Sequence, residues 1–294
     1  MASLLELKKH LHSIQMTGQL AGAMKTVSAA KLNRLNSALQ SFSAYQSLCQ
    51  QMIDRFGSDL TTMFPCQNPD APVCYVLLGA NRGLCGGYNI ELYSYTNTVL
   101  AKDQKDKLFI VAGKHAIAHY ESTAQPIYKS LVLPDNLRYE DCMALLDEIT
   151  SLYETGAVSA VVLVYQRFVN MLTQVPTTHC LLPLSSPEMK TEPVENQSSC
   201  SSNCRKKATV STELYVPDRE TVLQAAARTC LQADFYSHML EAGAGNQAAT
   251  LIAMRSAFDN AEESAAELES AISRKRQSDV TSSVIETAGG FIEE

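Results

Sequence analysis

The sequence predicts an α/β domain mounted on a long antiparallel two-helix coiled coil built from the two ends of the chain. Three observations point there: an apolar stripe at heptad spacing near the N-terminus, a similar stripe near the C-terminus, and alternating strand-like and helix-like patterns between them. The expected extents are 1–60 for the N-terminal helix, 70–185 for a Rossmann-like α/β domain, 186–212 for a polar loop and 213–290 for the C-terminal helix.

The N-terminal stripe steps alternately by three and four residues. It runs through Leu4, Leu7, Leu11, Ile14, Gly18, Ala21, Lys25, Ser28, Leu32, Leu35, Leu39, Phe42, Gln46, Cys49, Ile53 and Phe56, and no proline falls before Pro65. Only Gly18, Lys25, Ser28 and Gln46 depart from apolar character, so the register of a coiled-coil seam is kept. At 1.5 Å per residue the stretch from 4 to 56 would reach roughly 80 Å, further than a single small core extends. The section "GQLAGAMKTVSAAK" is made of small residues, which allow close backbone approach but bury little surface.

The C-terminal stripe keeps the same step through Leu251, Met254, Phe258, Ala261, Ala265, Leu268 and Ile272. Glu262, Glu263, Glu267, Arg274 and Lys275 fall off it, and Gly289-Gly290 should stop the helix. The stretch "EAGAGNQ" at 241–247 is a weak point, since each interior glycine costs about 1 kcal/mol against alanine, yet one long helix, with a bend there as the alternative, is the favoured reading. Two apolar seams at opposite ends of one chain are covered together if the helices pair antiparallel.

Between them, "VCYVLL" (73–78), "LFIVAG" (108–113), "AVVLVYQRF" (160–168) and "TTHCLLPL" (177–184) read as strands, with "PIYKSLVL" (126–133) a weaker one. Helical patterns lie between these strands at "NIELYSYTNTVLAK", "KHAIAHYES" and "RYEDCMALLDEITSLYETG". Such alternation implies a largely parallel sheet. Residues 185–210 are rich in Ser, Pro and Glu, a loop composition.

Charge and composition exclude several classes. Lys plus Arg number 24 against 31 Asp plus Glu, a net charge of −7, which argues against general phosphate-backbone binding. No apolar run is long enough to span a membrane, and "MASLLELKKH" lacks both a secretory core and a transit-peptide character. A cytoplasm-like compartment is expected. Nine cysteines at irregular spacing do not form a secreted disulfide framework.

The chemical signals are sparse. "LLGANRGLCGG" (77–87) is a glycine loop after a strand, yet it has neither the Lys-Ser/Thr of a P-loop nor the spacing of a dinucleotide fingerprint. Asp103 lies where a ribose ligand would be expected, inside the charged run "KDQKDK". A tight strand-to-helix turn needing positive φ is the favoured reading of the glycines. His115 and His119 stand four apart on a helix and could face one metal, but no third ligand is near in sequence. Cys200 and Cys204, in "CSSNC" followed by Arg205, Lys206 and Lys207, are the best candidates for a redox pair, since positive charge favours thiolate. No catalytic triad, paired-carboxylate site or metal cluster stands out, and no cofactor is expected. A long rod bearing an α/β domain favours a mechanical or scaffolding role over catalysis.

The ends carry a resemblance. "MTGQLAGAMKTVSAAKL" (16–32), "ATLIAMRSAFDNA" (249–261), "RKRQSDVTSSVIETAGG" (274–290), "NRGLCGGYN" (81–89) and "VVLVYQRFVNMLTQVPTTHCLLPL" (161–184) resemble, in order along nearly the whole chain, the ATP synthase γ subunit family. That resemblance implies a non-catalytic rotating central shaft in single copy. Its paired helices would stand inside the ring of α and β subunits, and its α/β foot would sit beside ε on the c ring. The location implied is peripheral, on the cytoplasmic face of a bacterial plasma membrane.

The resemblance also implies contacts. Arg276 and Gln277 match the family's pair that meets a β-subunit loop, and Met24 with its neighbour Lys25 matches a stator-facing section. Arg82, Gly83, Leu84, Cys85 and Gly86 match the foot loop near ε and the c ring. There are departures: Gln15, Gln19 and Gly22 stand where basic residues are frequent, and "CSSNC" differs in spacing from the redox pair of photosynthetic members. Two alternatives remain at this point, a nucleotide-dependent enzyme on the α/β domain and a homodimeric coiled-coil scaffold.

Overall fold

The structure is a computed structural model that describes residues 3–290 except 104, 124–125, 133, 135–136 and 185–215. In chain order it contains α1 (Leu4–Met63), β1 (Val73–Leu78), α2 (Tyr88–Lys102), β2 (Lys107–Ala112), α3 (Lys114–Ser122), β3 (Lys129–Leu131), α4 (Tyr139–Glu154), β4 (Ala160–Phe168), β5 (Gln174–Leu182) and α5 (Arg219–Gly290).

Helix α1 starts at a capping box written in "SLLE". The Ser3 hydroxyl accepts from the Glu6 amide at 3.2 Å, and the Glu6 carboxylate accepts from the Ser3 amide at 2.7 Å. All sixteen stripe positions of α1 are buried or half-buried, whereas Leu5, Leu20, Val27 and Leu48, off the stripe, are exposed. Helix α5 supplies the other side of the seam and runs the opposite way. A Cβ placed on Gly18 would stand 3.2 Å from Ala261, one on Gly22 3.1 Å from Phe258, and one on Gly243 3.5 Å from Leu35. Further along, Arg219 pairs with Asp59 at 2.5 Å.

Helix α1 outruns its stripe and α5 continues through its glycines. Helix α1 continues beyond the end of the stripe, with a non-helical residue at Phe56 (φ −117°, ψ 15°) just before Gly57, a local cause for the break. Helix α5 stays one helix through 241–247. There it lies between α1 and the sheet, and a Cβ on Gly245 would come within 3.3 Å of the Gln166 carbonyl oxygen. The glycines let helix and sheet approach closely, and the packing so gained offsets their low propensity.

The five-stranded sheet has the order β3-β2-β1-β4-β5, parallel except for β5, which pairs antiparallel with β4. Alternate β1 residues serve two cores. Val73, Tyr75 and Leu77 face α2 and α3 with Leu92, Tyr93 and Tyr120, while Cys74, Val76 and Leu78 face α4 and α5 with Leu146, Ile149 and Phe235. Helix α5 is therefore both half of the coiled coil and a layer of the α/β domain. The strand at β3 is only three residues long, against the eight suggested by its apolar pattern.

Candidate functional site

The glycine loop leaves β1 and folds onto α5. Gly86 has φ +60°, the left-handed conformation the loop was expected to need, but Leu84 adopts it too, at φ +62°. A Cβ on Gly86 would lie 3.8 Å from Ala253. Tyr88, at the start of α2, donates to the Ala242 carbonyl at 3.2 Å, and Gln166 donates to the Tyr88 carbonyl at 2.6 Å. Arg82 and Leu84 project outward, Leu84 with 63% of its surface exposed. Cys85 instead points inward at 3% exposure, accepts from the Asn89 amide nitrogen at 3.1 Å, and has its thiol pKa raised by burial. Asp103, which is spaced where a ribose ligand would be expected, accepts from the Tyr75 hydroxyl at 2.8 Å.

His115 and His119 do not converge on a metal position. Both flank Tyr93, which meets His115 Nδ1 at 3.0 Å through its hydroxyl and stacks on the His119 ring at a centroid distance of 4.3 Å. Cys200 and Cys204 lie outside the described residues.

Along the shaft, Met24 and Lys25 are half-buried. Lys25 occupies a seam position with its ammonium 4.3 Å above the Phe258 ring, so a cation stands in the stripe because an aromatic face on α5 receives it. Near the other end, Arg276 and Gln277 are exposed. Arg276 borders an open groove with Leu4, Asp279, Val280 and Val284, where the start of α1 meets the end of α5.

A further cluster occupies the junction of α5 with the β4–β5 hairpin. His179 on β5 meets Asp234 at 2.6 Å through Nε2. Asp234 and His238 are one helical turn apart, with His238 Nε2 3.3 Å from the other carboxylate oxygen. Tyr165 on β4 reaches His238 Nδ1 at 2.7 Å and donates to Glu241 at 3.2 Å. Burial opposes charge on His238, but the neighbouring Asp234 and Glu241 carboxylates outweigh it and push its pKa up to about 9. Burial likewise opposes charge on Asp234, and the two histidines overcome it and hold the carboxyl well below the usual range.

Residues 3–292 match the model of the ATP synthase family. The ATP synthase gamma chain of Symbiobacterium thermophilum is 30% identical over 96% of this chain and 95% of its own length. That of Desulfitobacterium hafniense is 27% identical over 99% and 98%.

The chain belongs to the ATP synthase gamma-chain family.

The fold agrees with solved structures. A chain of the Euglena gracilis mitochondrial ATP synthase OSCP/F1/c-ring assembly superposes with a TM-score of 0.63 at 15% identity, covering 98% of this chain and 93% of that one. A chain from the Tetrahymena thermophila central stalk and c ring gives 0.58 at 18% identity, over 81% and 99%. At such identities the likeness concerns the fold. In this chain the two ends pair along one seam and the middle forms the α/β domain. Among the described residues no helix is long and apolar enough to cross a membrane. The sequence reading missed the cluster around Asp234. Its only local trace is an Asp and a His four apart on α5, and the third member arrives from a strand 55 residues away.

Proposed function

We infer that this chain is the rotating central stalk of an F-type ATP synthase, passing torque between a membrane c ring and the three catalytic β subunits. The reading is carried by the seam between α1 and α5. From about residue 255 onward the shielded positions of α5 reduce to a single half-buried stripe, as in a two-helix shaft. Torque twists such a shaft, and interdigitated seam residues resist slip between its strands. The surface that turns against the stator should hold few strong contacts, and the exposed Arg276 with Gln277 suits one that is made and broken each third of a turn.

In this reading Met24 and Lys25 lie opposite the stator, with the Lys25 charge shared with Phe258. The foot loop meets ε and the c ring through Arg82, Gly83, Leu84 and Gly86, and the buried Cys85 supports the loop from inside. The chain has no active site of its own, since nucleotide is bound on the β subunits. It is peripheral, held through the c ring at the cytoplasmic face of a bacterial plasma membrane. A tag on the β2–β3 side of the foot, used to purify the chain from native membranes, should bring down α, β, ε and c subunits with one copy of this chain. The isolated chain should bind neither ATP nor NAD. Recovery without α and β, or tight nucleotide binding, would refute the stalk.

A further inference from the structure

We propose that His179, Asp234 and His238 bind a divalent transition-metal ion of the zinc class, which pins α5 to the β4–β5 hairpin. The ligand atoms of these three side chains lie within 4.8 Å of one another. His238 Nε2 stands 3.3 Å from one Asp234 oxygen and His179 Nε2 2.6 Å from the other. Ligand atoms around a tetrahedral zinc ion, at bond lengths near 2.0–2.1 Å, sit roughly 3.3 Å apart. The His238–Oδ1 separation already has that length, and both imidazole nitrogens with one carboxylate oxygen reach such spacing when the His179–Asp234 hydrogen bond opens to admit the ion.

The arrangement around His238 distinguishes this cluster from a simple ion pair. Its Nε2 is buried and makes no hydrogen bond, although the carboxylate is near. Its Nδ1 is held from behind by Tyr165 at 2.7 Å and Glu241 at 3.4 Å. Metal-binding histidines are oriented in this way, with a carboxylate or hydroxyl on the far nitrogen and the near nitrogen left for the ion. The two imidazole rings approach to a centroid distance of 4.1 Å, a poor arrangement for two imidazolium charges. A bound cation takes the place of the protons these groups otherwise share and satisfies all three near atoms at once. Two imidazoles and one carboxylate suit zinc or its neighbours in the first transition row, whereas magnesium and calcium favour oxygen shells. Asp234 is a quarter exposed, which gives the ion an entry path and a water for the fourth position.

The proposal stands on this geometry alone and does not depend on the stalk reading. Its test uses the full-length, untagged chain in a Cys200→Ser/Cys204→Ser background, stripped with chelator. Zinc is titrated by calorimetry and cobalt by visible absorption. One ion per chain is expected, with cobalt bands of a four-coordinate nitrogen–oxygen site and no thiolate charge-transfer band. His179→Gln and His238→Gln should each weaken binding at least about 100-fold. Glu241→Gln, which leaves all three ligands in place, should weaken it about 10-fold to 100-fold. Absence of saturable uptake by the parent chain overturns the proposal whatever the variants do. So does uptake that neither histidine substitution weakens, or a cobalt spectrum of thiolate type.

Discussion

The two halves of α5 are one helix in two different enclosures. From Ala227 to Ala249 it lies between α1 on one side and the sheet with α4 on the other. Buried residues therefore occur all round it, and they include Cys230, Leu231, Phe235, Met239, Leu240 and Ala244. From about residue 255 no described residue of α5 is fully buried, and Phe258, Ala261, Ala265, Leu268 and Ile272 form a half-buried stripe, with Glu262, Glu263 and Glu267 in solvent. A helix apolar on every side must be surrounded, and one with a single apolar stripe needs a single partner. The lower half consequently anchors the shaft to the foot, while the upper half depends on one seam and should open more readily.

The comparison is tested most strongly by deleting one large side chain from each half. Phe235 is fully buried, and Phe235→Ala should cost about 3–5 kcal/mol. Leu268 is only half-buried, and Leu268→Ala should cost about 1 kcal/mol, in proportion to the smaller apolar area it removes from water. Urea unfolding of the full chain measures both, and similar losses would mean that the two halves are equally supported.

A smaller effect sharpens the contrast within the lower half itself. Alanine is the better helix former by about 1 kcal/mol, so propensity favours Gly→Ala at both 243 and 245. At 245 the new methyl meets a backbone carbonyl at 3.3 Å, which cannot move without disturbing β4. At 243 it meets the methyl ends of Leu137 at 3.3 Å and Leu35 at 3.5 Å, which can turn aside. Gly245→Ala should therefore destabilise by about 1–2 kcal/mol, and Gly243→Ala should be neutral or slightly stabilising. Equal shifts in the unfolding midpoint would show that the glycines are not there for close approach.

These same residues mark how far the sequence could be read. The ends of β1, β4 and α3 fall where the pattern put them, at 73–78, 160–168 and 114–122, because apolar runs and neighbouring glycines set them locally. The two seams were legible for the same reason, since a heptad stripe is a property of one helix. The sequence favours one long helix through Gly243 and Gly245 but does not show what supports it there, because the cost of glycine is local while its compensation comes from Leu35, Leu137 and Gln166, remote in sequence. Cys85 sits in a loop whose motif says nothing of which way a thiol points. Asp234 and His238 show only a four-residue spacing until β5 brings His179 to them.

The smallest effect on stability belongs to the upper end, at Arg276. Its side chain is exposed and borders the groove between the two helix ends, so Arg276→Ala should shift unfolding by no more than about 0.5 kcal/mol. If this arginine is a contact between shaft and stator, the same substitution should lower ATP hydrolysis or rotation rate of the assembled complex several-fold while assembly is unchanged. Arg276→Lys retains the charge but loses the planar fork, so it should restore only part of the rate. Full activity in the alanine variant would mean that the exposed charge serves only solubility. A large loss of stability would mean that the upper shaft is held by more than its seam, and the contrast between the two halves of α5 would fail at its upper end.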